Sequence, residues 1–542
     1  MLRIGIDFDN TIACYDRAFG DVASLMGLVT TEIASSKIDI KAQILEKANG
    51  DLDWQRLQGQ VYGKHMLRAE VFPGFHEFLY LSRLRGHEVF VVSHKSEYGH
   101  FDEDRVPLRE QALLWLRGNN FFNENGLALS KENVFFEATR EAKIRRIRDL
   151  GCTHFIDDLR EVFEEPLFPN DVRKILFCPS LTGASEVDIP ALDSWRELTR
   201  SLHGHWTEAE VCHVARSIFS SLRITSAAIR KGRGNSRVYK LTSGNGKNYA
   251  LKVYPDRQRD SRPRLEAEFS ACQELRGRGY PVTEAVASDQ NLGWGIYRWV
   301  SGSPIEKPDE AFLRTATEFL KRLYCDSRPI DSFSQFSMAS EACSSGAEIE
   351  LQVERRLQKL LVVESEDLTA FLNCEFLPCF SSVIQRAKRS CGTLFDEHLP
   401  RALQIPNPSD FGAHNALNTD GGQVVFMDFE YFGWDDPVKL VSDFYWHPGM
   451  NLTSGLRSQW ISNSLEIFKA DKTFSQRLSA YLPLYGLRWC LILLNEYLQH
   501  GAAHRLHADP MKATDLAEIR AEQLNKSRML LQEIKETTRD HG

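Results

Sequence analysis

The N-terminal third of the chain repeats one pattern that leaves few folds open to it. Short apolar runs, RIGI, EVFVV and HFI, each end on polar or charged residues, and amphipathic segments closed by glycine, FHEFLYLSRLRG and REAKIRRIRDLG, precede the second and third. Strand and helix alternating in this way build a parallel sheet with helices over its faces. Ligands of such sheets sit at the carboxyl ends of the strands, and the polar residues fall there: Asp7 and Asp9 after the first run, Ser93 and Lys95 after the second, Asp157 and Asp158 after the third. Because Asp7 and Asp9 are two residues apart, an extended backbone turns both carboxylates to one face. Two like charges held so close need a cation, a shared proton or a reaction to serve.

A chain of 542 residues exceeds one ordinary core, so two or three domains are expected. Hydrophobic residues make up 42% and charged residues 26%, values of a globular protein rather than a disordered one. A net charge of −8 argues against a nucleic-acid partner, whose recognition rests on clustered Lys and Arg, and leaves room for a small anionic substrate in a local pocket. The 11 cysteines show no CxxC spacing and read as free thiols of a reducing compartment. Met1 runs directly into a strand without a leader pattern, and no segment approaches the roughly 20 apolar residues of a membrane helix. The expectation is a cytoplasmic protein without a membrane partner.

The ordered set DFDNT, VVSHK, Lys143 and FIDD resembles the haloacid dehalogenase superfamily of phosphohydrolases and phosphotransferases, over residues 1–195. The resemblance implies a Rossmann-like parallel sheet, with a helical cap over about 14–72, acting on a phosphorylated small molecule. It casts Asp7 as the nucleophile and Asp9 as the acid/base, with Thr11 and Ser93 bonding the phosphoryl oxygens and Lys143 neutralising their charge. Mg²⁺ would be held by Asp7, Asp9, Asp157 and Asp158. The chemistry suits these residue types, since a carboxylate attacks a phosphate only when their repulsion is screened. Lys143 competes with neighbouring arginines on a charged helix face. His94, Lys95 and His100 stand at the predicted mouth as substrate contacts or as solvated loop residues.

A helical, charged linker over 196–225 leads to a second pattern. In IRKGRGNSRVYKLTSGNGKNYALKVYP two β-rich runs flank a hairpin whose Asn and Gly suit a tight turn. The loop before the first run contains Gly232, Gly234 and Ser236, and Lys252 sits mid-strand among apolar neighbours, where it needs an anionic partner. This segment and NPSDFGAHNALNTDGGQVVFMDFEYFGWDDP resemble the aminoglycoside phosphotransferase and choline kinase family, relatives of the protein kinases. The resemblance implies a two-lobed α+β fold, with a small lobe at 226–302 and a helical large lobe at 303–542. Its implied cofactors are Mg²⁺ and ATP (or GTP). Lys252 would hold nucleotide phosphates through a pair with Glu268, with Glu266 as a competing partner, and Trp299 to Ser301 would form the hinge that receives the base. Asp410 would be the base toward the acceptor hydroxyl, Asn415 and Asp428 would hold the metal, and Asp443 would support the loop. One departure stands out: Pro408 occupies the position where the family has a histidine bracing the catalytic loop.

Together the two halves read as a bifunctional enzyme, a Mg²⁺-dependent phosphatase and an ATP-dependent kinase for a hydroxyl of a sugar or amino alcohol, in surface polysaccharide or related metabolism. An antibiotic-modifying kinase with an accessory phosphatase, and a phosphatase regulated by a nucleotide-sensing pseudokinase, remain alternatives at this stage.

Overall fold

The computed structural model describes residues 1–29, 37–99, 104–123, 127–179, 189–230, 236–255, 260, 262–329, 331–498 and 516–539; His100, Gly232 and Gly234 lie outside them. The first part is a parallel sheet of six strands, β1 (Arg3–Ile6), β2 (Glu88–His94), β3 (Val134–Glu137), β4 (His154–Asp157), β5 (Arg173–Phe177) and β6 (Ala191–Leu192), in the order β3-β2-β1-β4-β5-β6. β1 lies between β2 and β4, parallel to both, with Ile4 opposite Val89 on one side and His154 on the other. Strand order reverses at β1, so a crevice opens at its carboxyl end. Ile4 and Ile6 are fully buried, as suits a strand covered on both faces. Gly5 lets the neighbouring layer approach, because a Cβ there would stand 2.5 Å from the ring of Phe155.

Helices α1 (Asp16–Leu25), α2 (Lys37–Leu45) and α3 (Gly50–Tyr62) follow β1 and pack on one another. Phe19 of α1 stacks on Trp54 of α3 at 5.1 Å between ring centres. α3 turns Gln58 and Tyr62 toward the strand ends. Along the sheet run α4 (Phe75–Leu84) and α5 (Arg140–Asp149).

The segment between the two halves is built from α6 (Trp195–His203) and α7 (Glu208–Ile218), which belong to different cores. Trp195 of α6 is fully buried, packs at 4.7 and 4.9 Å against Phe75 and Phe78 of α4, and donates from Nε1 to the Thr11 carbonyl at 2.8 Å. α7 opens with a capping box of Thr207 and Glu210 and buries Val211, Val214 and Ala215 in a core shared with Tyr239, Leu251 and Ile296. Arg85 pairs with Glu210 at 2.8 Å, and Trp206 donates to Glu77 at 2.7 Å, so polar contacts tie the parallel sheet to the next unit. Trp195→Ala is expected to destabilise the first part by about 3–5 kcal/mol, the usual cost of emptying a fully buried Trp site. A urea unfolding curve followed by near-UV circular dichroism measures it.

The second part begins with an antiparallel sheet of β7 (Ile224–Arg230), β8 (Arg237–Ser243), β9 (Asn248–Val253), β10 (Ala285–Asp289) and β11 (Trp294–Arg298), ordered β10-β11-β9-β8-β7, with α8 (Arg264–Gly277) between β9 and β10 in the chain. Two small sheets follow: β12 (Gly302–Pro304) pairs with β14 (Ala416–Thr419), itself paired with β15 (Val424–Phe426), and β13 (Ile405–Asn407) pairs with β16 (Gly433–Asp435). The remaining elements among the described residues are helical. α9 (Pro437–Trp446) and α11 (Leu516–Arg539) pack on α10 (Phe474–Leu493), whose residues Ala480 to Arg488 are all buried. The chain is thus mixed α/β, a parallel sheet followed by a kinase-like arrangement of small β lobe and large helical lobe. All eleven cysteines are free thiols. Among the described residues no helix is long and apolar enough to cross a membrane.

Candidate functional site

Two clusters of buried charge stand out, one in each part. In the first, β1 delivers Asp7 and β4 delivers Asp157 and Asp158 to the same crevice. α5, capped by Thr139 through the Ala142 amide at 3.1 Å, buries Lys143, Ile144 and Ile147 and leaves Arg145 and Arg148 exposed. That face decides between the lysine and its arginine neighbours: Lys143 Nζ lies 2.5 Å from Asp7 Oδ1 and 2.6 Å from Asp157 Oδ2. One oxygen from each of Asp7, Asp157 and Asp158 falls within 4.8 Å of the others. Burial pushes Asp7 up to about 7, with Lys143 opposing and Asp157 and Asp9 adding to the rise. Asp158 is raised by burial and by the charges of Asp7 and Asp157. Carboxylates crowded against their own charge are a donor set that fits a hard divalent cation. Thr11 Oγ1 sits 3.5 Å from Asp158 Oδ1. Ser93 is buried in the wall of a cavity of about 620 Å³ that also holds Asp7, Asp9 and Lys143.

Asp9 departs from the expected metal set. β1 ends at Ile6, and residues 8–13 form a turn in which the Ile12 and Ala13 amides donate to the Phe8 carbonyl and Asn10 takes φ +55°. The two-residue strand period therefore does not carry through to Asp9. Its oxygens lie 2.8 and 2.9 Å from Lys95 Nζ, and Tyr15 donates to it at 2.5 Å. Lys95, one of the candidate mouth residues, is buried in this contact, while His94 is exposed and lies 3.1 Å from the Ala138 carbonyl.

In the second cluster Lys252 of β9 reaches Glu268 Oε2 at 2.6 Å, Asp428 Oδ1 at 2.5 Å and Glu430 Oε2 at 3.2 Å. Of the two acidic candidates on α8, Glu268 is the one that meets it. Tyr254 fixes Glu268 with a bond of 2.5 Å and is itself 2.7 Å from the Tyr297 hydroxyl. Asp428 follows β15 with φ +70°, a strained backbone for a residue with a Cβ. Burial pushes its carboxyl up to about 7, with Lys252 opposing and Glu430 and Glu268 adding. Glu430, also paired with Arg264, was not singled out from the sequence. Its place two residues after Asp428 was the available signal.

Asp410 lies in the loop between β13 and β14. Asn407 shapes that loop, accepting from the Ser409 amide at 2.8 Å and donating to Asp435 at 3.2 Å, while Ser409 takes φ +64°. Asp410 Oδ1 is 2.8 Å from His414 Nε2, and Oδ2 accepts from Asn415 Nδ2 at 3.0 Å. Burial alone would raise the Asp410 carboxyl. The His414 contact, with His447 and Asn415, outweighs it and holds the group below the usual carboxylate range. Burial and the neighbouring His414 lower His447 to about 4, which leaves its ring neutral at pH 7. Asp443 is buried and bound by Lys439 at 2.8 Å, Trp489 at 2.9 Å and Arg488 at 3.1 Å. Of the residues expected at a hinge, the Trp299 amide donates to the Asn248 carbonyl at 3.2 Å, and Ser301 is exposed. Ser236 Oγ is buried without a hydrogen-bond partner among the described residues.

Solved structures similar to this chain include choline kinase LicA from Streptococcus pneumoniae, 14% identical, covering 59% of this chain and 98% of its own, with a TM-score of 0.39. An ethanolamine kinase from Plasmodium vivax is 13% identical, covering 61% of this chain and 93% of its own, with a TM-score of 0.41. A spectinomycin phosphotransferase solved with ADP and spectinomycin is 15% identical, covering 59% of this chain and 99% of its own, with a TM-score of 0.41. No curated protein matches the chain. The sequence model of the phosphotransferase enzyme family, APH, matches residues 226–464, which span β8 to β16, Lys252, Glu268 and the loops of Asp410 and Asp428. This part of the chain is a domain of the phosphotransferase enzyme family.

Proposed function

We propose that the chain joins two phosphoryl-transfer activities, a kinase for a hydroxyl of a small molecule in the second part and a phosphatase in the first. The observation that carries the kinase is the meeting of Glu268 and Asp428, the latter 176 residues from Lys252 in sequence, on one partly buried ammonium. In this reading Lys252 positions the phosphates of ATP or GTP, and Ser236, with its open hydroxyl, adds a bond from the small lobe. The hinge at Trp299 to Ser301 receives the base, and Asn415 and Asp428 hold Mg²⁺. Asp410 accepts the acceptor hydroxyl's proton as that oxygen bonds to phosphorus, a role that relies on positioning and fixed charge more than on covalent chemistry.

The Asp7–Lys143–Asp157–Asp158 cluster supports the phosphatase. Asp7 attacks phosphorus and carries the phosphoryl group as the ester oxygen leaves, Thr11, Ser93 and Lys143 steady the phosphoryl oxygens, and Asp9, oriented by Lys95 and Tyr15, protonates the leaving oxygen and then takes a proton from the water that releases phosphate from Asp7. Bound Mg²⁺ supplies the screening that lets a carboxylate approach a phosphate, and Asp7, Asp157 and Asp158 are the residues to hold it. α1 to α3 take the part of the cap in this reading, with Gln55, Gln58 and Tyr62 of α3 lining the cavity. Asp9→Asn is expected to slow phosphate release by about 10²- to 10⁴-fold, the range for a lost acid/base, as measured by steady-state phosphate release.

In this reading the acceptor is a sugar or amino alcohol, and one chain carrying both steps suits a route in which a metabolite gains one phosphate and loses another. Phosphorus NMR of the full chain with ATP, Mg²⁺ and a panel of sugars, amino alcohols and their phosphates tests both halves. The expected outcome is a new monoester resonance for the kinase and inorganic phosphate from a monoester without nucleotide for the phosphatase. Absence of either across the panel overturns that half.

A further inference from the structure

We propose that His414 and His447 together are the positioning residues that hold Asp410 for transfer, in place of the brace that Pro408 cannot supply; this rests on the kinase reading above. Proline offers no side-chain donor, yet the Asp410 carboxylate is restrained on both oxygens. Asn415 Nδ2 takes Oδ2 at 3.0 Å. His414 Nε2 lies 2.8 Å and His447 Nε2 3.6 Å from Oδ1. The two imidazoles are stacked, 3.7 Å between centres and 8° from parallel, so both present Nε2 to the same oxygen.

Hydrogen bonding fixes what each ring does. His447 Nδ1 accepts from the Gly449 amide at 3.0 Å, so the neutral ring carries its proton on Nε2, facing Asp410. His414 Nδ1 is buried without a partner among the described residues, which leaves Nε2 as its working edge. A proton on Nε2 of both rings makes His414 a hydrogen-bond donor to the carboxylate and turns the N–H dipole of His447 toward the same oxygen at 3.6 Å, rather than making the group a set of metal ligands, although the three side chains lie close enough to enclose an ion.

The pair also joins two separate elements. His414 belongs to the catalytic loop, and His447 follows α9, where Trp489 meets its ring edge-on at 4.6 Å. Met450 completes the joint, its Sδ accepting from the Ala413 amide at 3.0 Å. Two glycines make the space. A Cβ at Gly412 would fall 2.3 Å from Met450 Sδ and 3.0 Å from the His414 ring, and one at Gly449 would fall 3.0 Å from the His447 ring. The stack thus fastens the loop to the helical lobe, and the rotation of Asp410 is set from outside its own backbone.

The test uses the full chain with Mg²⁺ and ATP, following transfer to water and to whichever acceptor the NMR panel identifies, with an ATP-analogue titration as the binding readout. His414→Ala is expected to lower kcat by about 10²-fold, the cost of a misplaced reacting group, with KM for ATP and analogue affinity unchanged. His447→Ala is expected to give a smaller loss of the same kind. His414→Gln, which returns a donor near Nε2, is expected to recover most of the rate. In an Asp410→Asn background, His414→Ala is expected to add nothing. Parental kcat in both alanine variants, equal losses of kcat and nucleotide affinity, or a glutamine variant as slow as the alanine one would each overturn the proposal. If the parent transfers nothing, the kinase reading fails, and the pair is then judged by NMR of ¹⁵N-histidine-labelled protein. Nε2–H tautomers at both rings, with the His414 Nε2 signal shifted by Asp410→Asn, uphold the coupling. An Nδ1–H tautomer at either ring, a zinc-induced shift of both rings, or no response to Asp410→Asn refutes it.

Discussion

Asp7→Asn is expected to abolish turnover of phosphate monoesters while transfer from ATP in the second part continues near the parental rate. The amide cannot attack phosphorus, so no covalent intermediate forms and the loss is complete rather than graded. The fold should survive. Lys143 keeps Asp157 at 2.6 Å, and the substitution removes a carboxyl that burial already pushes up to about 7. The second cluster shares no residue with the first, which is why its activity is the internal control. Parallel phosphate-release and kinase assays, with a thermal melt to confirm folding, check the result. Equal loss of both activities would show that the sites are not independent, and retained phosphatase turnover would remove Asp7 as nucleophile.

Asp410→Asn is expected to lower acceptor phosphorylation by about 10²- to 10⁴-fold, the range for loss of a proton-accepting group. Nucleotide and Mg²⁺ binding should persist, because Lys252, Glu268 and Asp428 form their own cluster through contacts of 2.5 and 2.6 Å. An asparagine still accepts a bond from His414 on its carbonyl but turns its amide nitrogen toward Asn415 Nδ2 and loses that bond, so a thermal melt beside the rates separates lost chemistry from a loosened loop. Rates at saturating ATP, set beside analogue affinity, separate transfer from nucleotide binding. Parental transfer in the variant would overturn Asp410 as the base. A parent inactive across the acceptor panel would leave nothing for the variant to lose and would favour a nucleotide sensor.

How much of this was legible beforehand depended on how local the signal was. Lys252 and Glu268 are 16 residues apart on an adjoining strand and helix, and a lysine amid apolar strand residues already demands an anion. Asp410 and Asn415 lie within one loop, where a spacing of five residues is itself the motif. The parallel sheet was legible because helix and strand periods alternate and because apolar runs without polar interruption suit strands buried on both faces.

What the sequence by itself determined, then, was the order of the elements, the strand ends at which Asp7, Ser93 and Asp157 emerge, and the loops that carry Asp410 and Asp428. These follow from periodicity and turn chemistry acting over a few residues. Only the tertiary structure decided which neighbours those groups meet. Lys143 rather than an adjacent arginine enters the first cluster because α5 docks with that face inward. Asp9 turns to Lys95 and Tyr15 because the chain leaves its strand at Ile6. Glu430 joins Lys252 through the backbone that follows Asp428. His414 and His447, on a loop and a helix end, stack because Gly412 and Gly449 leave room and α9 packs against the loop. Contacts of this kind depend on how distant segments close upon one another, and no local pattern of side chains encodes that closure.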